Sequence, residues 1–189
     1  MEKLLSRAKN IVFSPKSEWQ AIKAEQTTAK DIIVNYVAVL AIIPAVASFI
    51  GLAVVGVSFM HTVTRYPVFI SLLWGVFSYI FSIVAVMVSA AIINALAPTF
   101  ESAKDYLKAL KVVSYAYTPA WIAGALNVIP ALSWLMLIMS LYSIYLLYLG
   151  LSPIMGTSQN KALGYTVASI IVIIVVEIVT GFLAAQIIL

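Results

Sequence analysis

Five long apolar stretches take up most of the 189 residues, and of the eighteen charged side chains only Glu177 falls inside one. That distribution constrains the fold more than any motif does. The stretches are Ile32–Met60, Val68–Ala97, Val112–Val128, Ala131–Leu151 and Ala162–Leu189. Each approaches the roughly 20 residues that a helix needs to cross a hydrocarbon core. The third reaches that length if it starts at about Lys108. Their hydrophobicity is continuous rather than alternating, which selects helices over barrel strands. Charged residues are only 10% of the chain, far too few to cover a water-soluble domain of this size. The sequence therefore predicts an all-α integral membrane protein. A five-transmembrane-helix bundle (residues 32–189, spans at about 32–60, 68–97, 108–128, 131–151 and 162–189) follows an interfacial amphipathic segment (residues 1–31).

Local signals support these boundaries. Thr28-Ala-Lys-Asp31 and Ser102-Ala-Lys-Asp105 have the form of capping boxes, just before the first and third spans. Pro98 ends the second span, and Pro130 suits a tight turn between the third and fourth. Pro44 and Pro119 lie within spans and are expected to kink them, freeing a carbonyl that needs another partner. The charged N-terminus predicts no cleaved leader.

Lysine and arginine set the orientation. Six precede the first span, three lie in the second loop (Lys104, Lys108, Lys111) and Lys161 is in the fourth, whereas the opposite side has only Arg65. This bias predicts a cytoplasmic N-terminus, a C-terminus on the other side and an inner (plasma) membrane location.

Residues 1–13 place Leu4, Leu5, Ala8, Ile11 and Val12 on one helical face and Lys3, Arg7 and Lys9 elsewhere. Ser14-Pro15 then reads as an N-cap with proline at N1, opening a second short helix with Trp19 and Ile22 on its apolar side. Such helices lie in the headgroup plane, where basic residues meet anionic lipid. Lys3, Arg7, Lys9, Trp19, Lys104, Lys108 and Lys111 are the candidate contacts with the membrane surface or with a cytoplasmic partner protein.

Glu177 is the candidate intramembrane site. Ionisable groups at bilayer depth are costly and face a bundle interior or a wet cavity. Thr166, Ser169, Ile173, Thr180 and Gly181 share its stripe of the helix. The second span carries Ser71, Gly75, Ser78, Ser82, Ala85 and Ser89 as a small-residue seam suited to close packing. Depth pairs Glu177 with Ser78, Ser82 or Tyr142, and with no cation in reach its carboxyl is expected to be protonated. A structural polar staple and a proton or cation site both fit this pattern.

His61 is the single histidine and there is no cysteine, so neither a metal site nor a cofactor is expected. Tyr36, Tyr66, Tyr106, Trp134 and Tyr165 suit an aromatic belt. No phosphate-binding loop, nucleophile elbow or acid pair is present, so no enzyme is expected. The basic residues flank spans, which does not suggest nucleic acid. Small-residue pairs such as Ala120/Gly124 allow a homo-oligomer.

Several short elements resemble, in order, the Yip (Ypt/Rab-interacting protein) family in its short prokaryotic branch. They are Ser14-Pro15-Lys16-Ser17-Glu18-Trp19-Gln20-Ala21-Ile22 before the first span, Ala116-Tyr117-Thr118-Pro119, Pro130, Trp134, the Tyr142/Tyr145 pair, Gly150 and Lys161-Ala162. The resemblance implies a five-helix bundle with its N-terminal region in the cytoplasm. Eukaryotic members are associated with Golgi and ER membranes and Rab-class GTPases, but this chain lacks their long N-terminal region. The expected function is a non-enzymatic membrane protein that organises membrane or partner proteins. The alternative is a small transporter or channel using Glu177.

Overall fold

A computed structural model describes residues 2–59, 62–132 and 134–185; the side chains of residues 58, 59, 130, 177, 180 and 183–185 lie outside that description. Among the described residues, four helical segments are long and apolar enough to cross a membrane: Ala29–Val55, Val68–Phe100, Leu135–Met155 and Gln159–Val176. The first joins α3 (Ala29–Ile32) and α4 (Ala38–Ile50) through a π turn at Ile33–Val37, and a second π turn, Gly51–Val55, ends it. The second is α5 (Val68–Leu96) with a 3-10 turn, Ala97–Phe100, that carries Pro98. The last two are α8 (Leu135–Met155) and α9 (Gln159–Ala185). A two-stranded hairpin, β1 (Val57–Phe59) and β2 (Thr62–Thr64), joins the first two segments, with Val57 opposite Thr64.

The stretch expected to form the third span is a broken helix. It consists of α6 (Tyr106–Ala116), α7 (Thr118–Ala123) and a 3-10 turn, Gly124–Val128. Pro119 sits in the first turn of α7 and breaks the helix rather than kinking it. Proline has no N–H for the carbonyl four residues back. That carbonyl, on Tyr115, instead accepts from the Thr118 hydroxyl at 2.8 Å.

This broken segment runs parallel to the first span, side by side with it. Near its start, Lys111 Nζ donates to the Glu25 carbonyl, just ahead of α3, at 2.6 Å. Further along, the Tyr36 and Thr118 hydroxyls are 2.7 Å apart. Gly124 then lies against Pro44, and Asn127 Nδ2 donates to Ser48 Oγ at 3.1 Å. The 3-10 turn rises about 2.0 Å per residue against 1.5 Å in an α-helix, which helps a shorter segment keep pace.

The Thr28 capping box forms, with Asp31 N–H donating to Thr28 Oγ1 at 3.1 Å. The Ser102 box does not. Asp105 is the N-cap of α6, accepting from Lys108 N–H at 3.0 Å. Ser102 is buried instead, with its hydroxyl 2.6 Å from that of Thr157 beside the α8–α9 turn.

The largest correction concerns the N-terminus. Residues 2–13 and 15–24 are helical, as α1 (Glu2–Phe13) and α2 (Pro15–Ala24), with Pro15 at N1. Their apolar sides, however, are largely taken up by the bundle, leaving Leu5 and Phe13 exposed at 61% and 77%. Ile11, Trp19 and Ile22 are buried in the same core as Ile93, Leu110 and Leu151 of the bundle. Hydrophobicity alone does not say whether an apolar helix face meets lipid or protein; here α8 and α6 supply enough complementary surface to take it.

Candidate functional site

Two regions gather the residues singled out from sequence. The first holds α1 and α2 on the bundle. Arg7, whose side chain is 12% exposed, forms ion pairs with both Glu18 and Glu25. Its guanidinium carbon lies 5.6 Å from the centroid of the Tyr115 ring. Lys3 pairs with Glu25 at 2.7 Å. Lys111, on α6, donates to the carbonyls of Ile22 at 3.2 Å and Glu25 at 2.6 Å. A helix leaves its last carbonyls without partners, and Lys111 takes one in the last turn of α2 and another just beyond it.

Packing completes the attachment. Trp19 is 1% exposed and meets Tyr115 edge-on at 6.4 Å. Gly150 of α8 makes room for it, since a Cβ there would come within 2.7 Å of the indole. Eight residues earlier on α8, Tyr142 OH donates to the Val12 carbonyl at 2.6 Å. Arg7, Trp19 and Lys111 are therefore internal, not contacts with a membrane surface or partner. Lys3, Lys9, Lys104 and Lys108 remain exposed. Removing the indole in Trp19→Ala is expected to cost about 3–5 kcal/mol, read as a lower melting temperature in detergent.

Burial raises the Glu25 carboxyl, but the Lys3 hydrogen bond and the charges of Arg7, Lys3 and Lys111 outweigh it, leaving the group below its ordinary 4.5. A carboxyl lowered in the folded state adds stability above its unfolded value and loses it as pH falls through the folded one. The melting temperature should thus be flat from about pH 8 to about pH 5 and fall below about pH 4.5. Glu25→Gln should remove part of that fall.

The second region surrounds the small-residue seam of α5. Ser71 and Gly75 are buried, and a Cβ on Gly75 would lie 3.3 Å from the Ala45 carbonyl. Ser78 and Ser82 instead line a groove of about 710 Å³ between α5, α7, α8 and α9. Each has a partner of its own: Ser78 donates to the Gly75 carbonyl at 3.0 Å, and Ser82 accepts from Trp121 Nε1 at 3.1 Å. Tyr142, the third partner expected for Glu177, is committed to Val12. The backbone of residue 177 lies in α9 between groove residues Ile174 and Ile178; its side chain and His61 lie outside the described residues. Among the described residues, no group of His, Asp and Glu could hold a metal ion.

Sequence reasoning missed Glu18 and Glu25 as partners of Arg7. A signal was present: the acids lie seven residues apart on a short segment opposite the basic helix.

These features define a class: a polytopic helical membrane protein with an N-terminal helix pair built into the bundle. The sequence matches the Yip1 domain over residues 9–180, and the chain belongs to that family. The match includes most of the N-terminal helix pair. The chain is similar to the inner membrane protein YohC of Escherichia coli strain K12, with 25% identity over 180 residues and 92% of each chain covered. The YohC of Escherichia coli O6:H1 aligns with the same identity and coverage. No solved structure matches the chain.

Proposed function

We propose that this chain is a non-enzymatic organiser of membrane or partner proteins in a plasma (inner) membrane. The observation that carries this reading is the ion-paired N-terminal helix pair. It holds a two-helix surface against the bundle, with Lys3 and Lys9 exposed on α1, Lys104 exposed just ahead of α6 and Lys108 exposed in its first turn. Such a basic surface suits anionic headgroups or an acidic protein face. The relatedness to an inner membrane protein supports the location. Vesicles carrying the full chain should be no more permeable to protons or alkali cations than empty vesicles. Flux that Glu177→Ala abolishes would overturn the reading in favour of a transporter.

The bundle in this reading has five crossings. The contacts that pair residues 111, 118, 124 and 127 with successive positions from 25 to 48 support a broken helix crossing alongside the first span. With ten of eleven basic residues on one side, the N-terminus is cytoplasmic and the C-terminus opposite. The chain has no cysteine, so single introduced thiols report topology cleanly. In intact cells, a membrane-impermeant maleimide should label Arg65→Cys and leave Lys9→Cys unlabelled until the membrane is opened. The reverse pattern would overturn the orientation.

A further inference from the structure

Away from the α8–α9 turn, the bundle is not filled. α8 and α9 leave the turn at Gly156 closely packed, with Leu146, Leu151, Ala162 and Tyr165 buried. They then part. Leu137, Leu141, Ile174 and Ile178 are all more than half exposed or nearly so, at 69%, 66%, 49% and 65%. The groove of about 710 Å³ opens between the separated halves. Its inner end is closed by Ala85, Ala116, Leu147 and Ile170, and it runs out past Trp74 to Gly181, where a Cβ would meet nothing within 4 Å.

We propose that this groove is a lipid site, taking an acyl chain of a bilayer phospholipid from the leaflet opposite the α8–α9 turn. Three observations support the assignment. The rim is formed by Leu137, Ile174 and Ile178, exposed side chains on helices long and apolar enough to cross a membrane, so in a bilayer a chain would enter sideways without leaving hydrocarbon. Among the described residues the lining is mostly apolar, and three of its four serine hydroxyls already have partners: Ser78 with Gly75, Ser82 with Trp121, and Ser143 with the Met139 carbonyl at 3.2 Å, while Ser140 is exposed. Among the described lining residues a polar solute would find few partners for the bonds it gives up to water, whereas an apolar chain gives up nothing. The volume lies within the roughly 300–1,000 Å³ of small-molecule sites between helices.

The test uses the full chain in phosphatidylethanolamine–phosphatidylglycerol vesicles containing a trace of phosphatidylethanolamine with a diazirine near the end of one acyl chain. After irradiation, peptide mass spectrometry should find labelling of Ala85, Leu147 and Ile170 several-fold above that of Leu72, Val76 and Ile80, which face the bilayer on α5. Ala120→Phe and Ser78→Leu, each narrowing the groove, should reduce groove labelling to the level of those exposed positions. Ile80→Phe should leave it unchanged. Labelling equal at groove and exposed positions shows ordinary bilayer contact and overturns the proposal. So does groove labelling that survives both narrowing variants with the melting temperature retained, or cross-linking between two copies through the groove.

Discussion

Arg7→Met releases the N-terminal helices from the bundle and lowers the stability of the folded chain by about 3–5 kcal/mol. Arg7 is the common partner of Glu18 and Glu25, and its side chain is 12% exposed against 10% and 21% for theirs. Removing one member of a buried ion pair costs more than the pair contributes, because the remaining charge is left without compensation. Here two carboxylates are left, and Lys3 serves only Glu25. In detergent, the variant should melt at a clearly lower temperature and be cut by trypsin after Lys9 and Lys16 well before the bundle is attacked. Adding Glu18→Gln and Glu25→Gln to Arg7→Met should recover part of the loss, since neither carboxylate is then left without compensation, while the buried Lys111 keeps its two carbonyls but loses the nearby Glu25 charge. If Arg7→Met melts and digests like the parent protein, packing around Trp19 alone holds the helices.

Gly124→Val is expected to be as damaging, for a steric reason. A Cβ at 124 would lie 2.5 Å from Pro44 Cβ and 3.1 Å from Pro44 Cα, both fixed by the ring and backbone of the first span. Nothing flexible is there to move aside. Overpacking of this kind costs typically 1–3 kcal/mol, and a clash against backbone belongs at the top of that range, about 3 kcal/mol. Gly51→Ala should behave alike, because its Cβ would overlap the Asn127 carbonyl oxygen. Gly181→Ala, with nothing within 4 Å, should leave the melting temperature unchanged or slightly raised. Equal effects at Gly124 and Gly181 would mean that the first span and the 106–128 segment do not pack as closely as described.

Much of the helical layout was legible because its causes are local. Thr28 and Asp31 lie within one turn of each other, and their reciprocal hydrogen bonds need no distant residue. Pro15 opens α2 for the same kind of reason. Ser102 shows where local reasoning ends. Its spacing to Asp105 satisfies the capping pattern, yet a hydroxyl on Thr157, 55 residues away, takes it and leaves the cap to Asp105. Pro119 was visible as a disruption, but that the Thr118 hydroxyl would donate to the carbonyl it frees on Tyr115 was not.

The candidate sites were less legible. Ser78, Ser82 and Tyr142 were grouped by depth along their helices, which gives height but not azimuth. Trp121 and Val12 hold Ser82 and Tyr142 instead, from segments whose positions around the bundle no periodicity specifies.

By itself, the sequence determined that this is a helical membrane protein, and four of the five apolar stretches it marks are long apolar helices among the described residues, with starts shifted by up to four residues (Ala29, Val68, Leu135 and Gln159 against 32, 68, 131 and 162). Charge exclusion and backbone hydrogen bonding inside hydrocarbon leave little else available to such stretches. Only the tertiary structure decided what the remaining apolar faces touch. Lipid and protein interior are equally good solvents for Ile, Leu and Trp, so the burial of Trp19 against Gly150 and the opening between α8 and α9 depend on shape and on pairing across the chain.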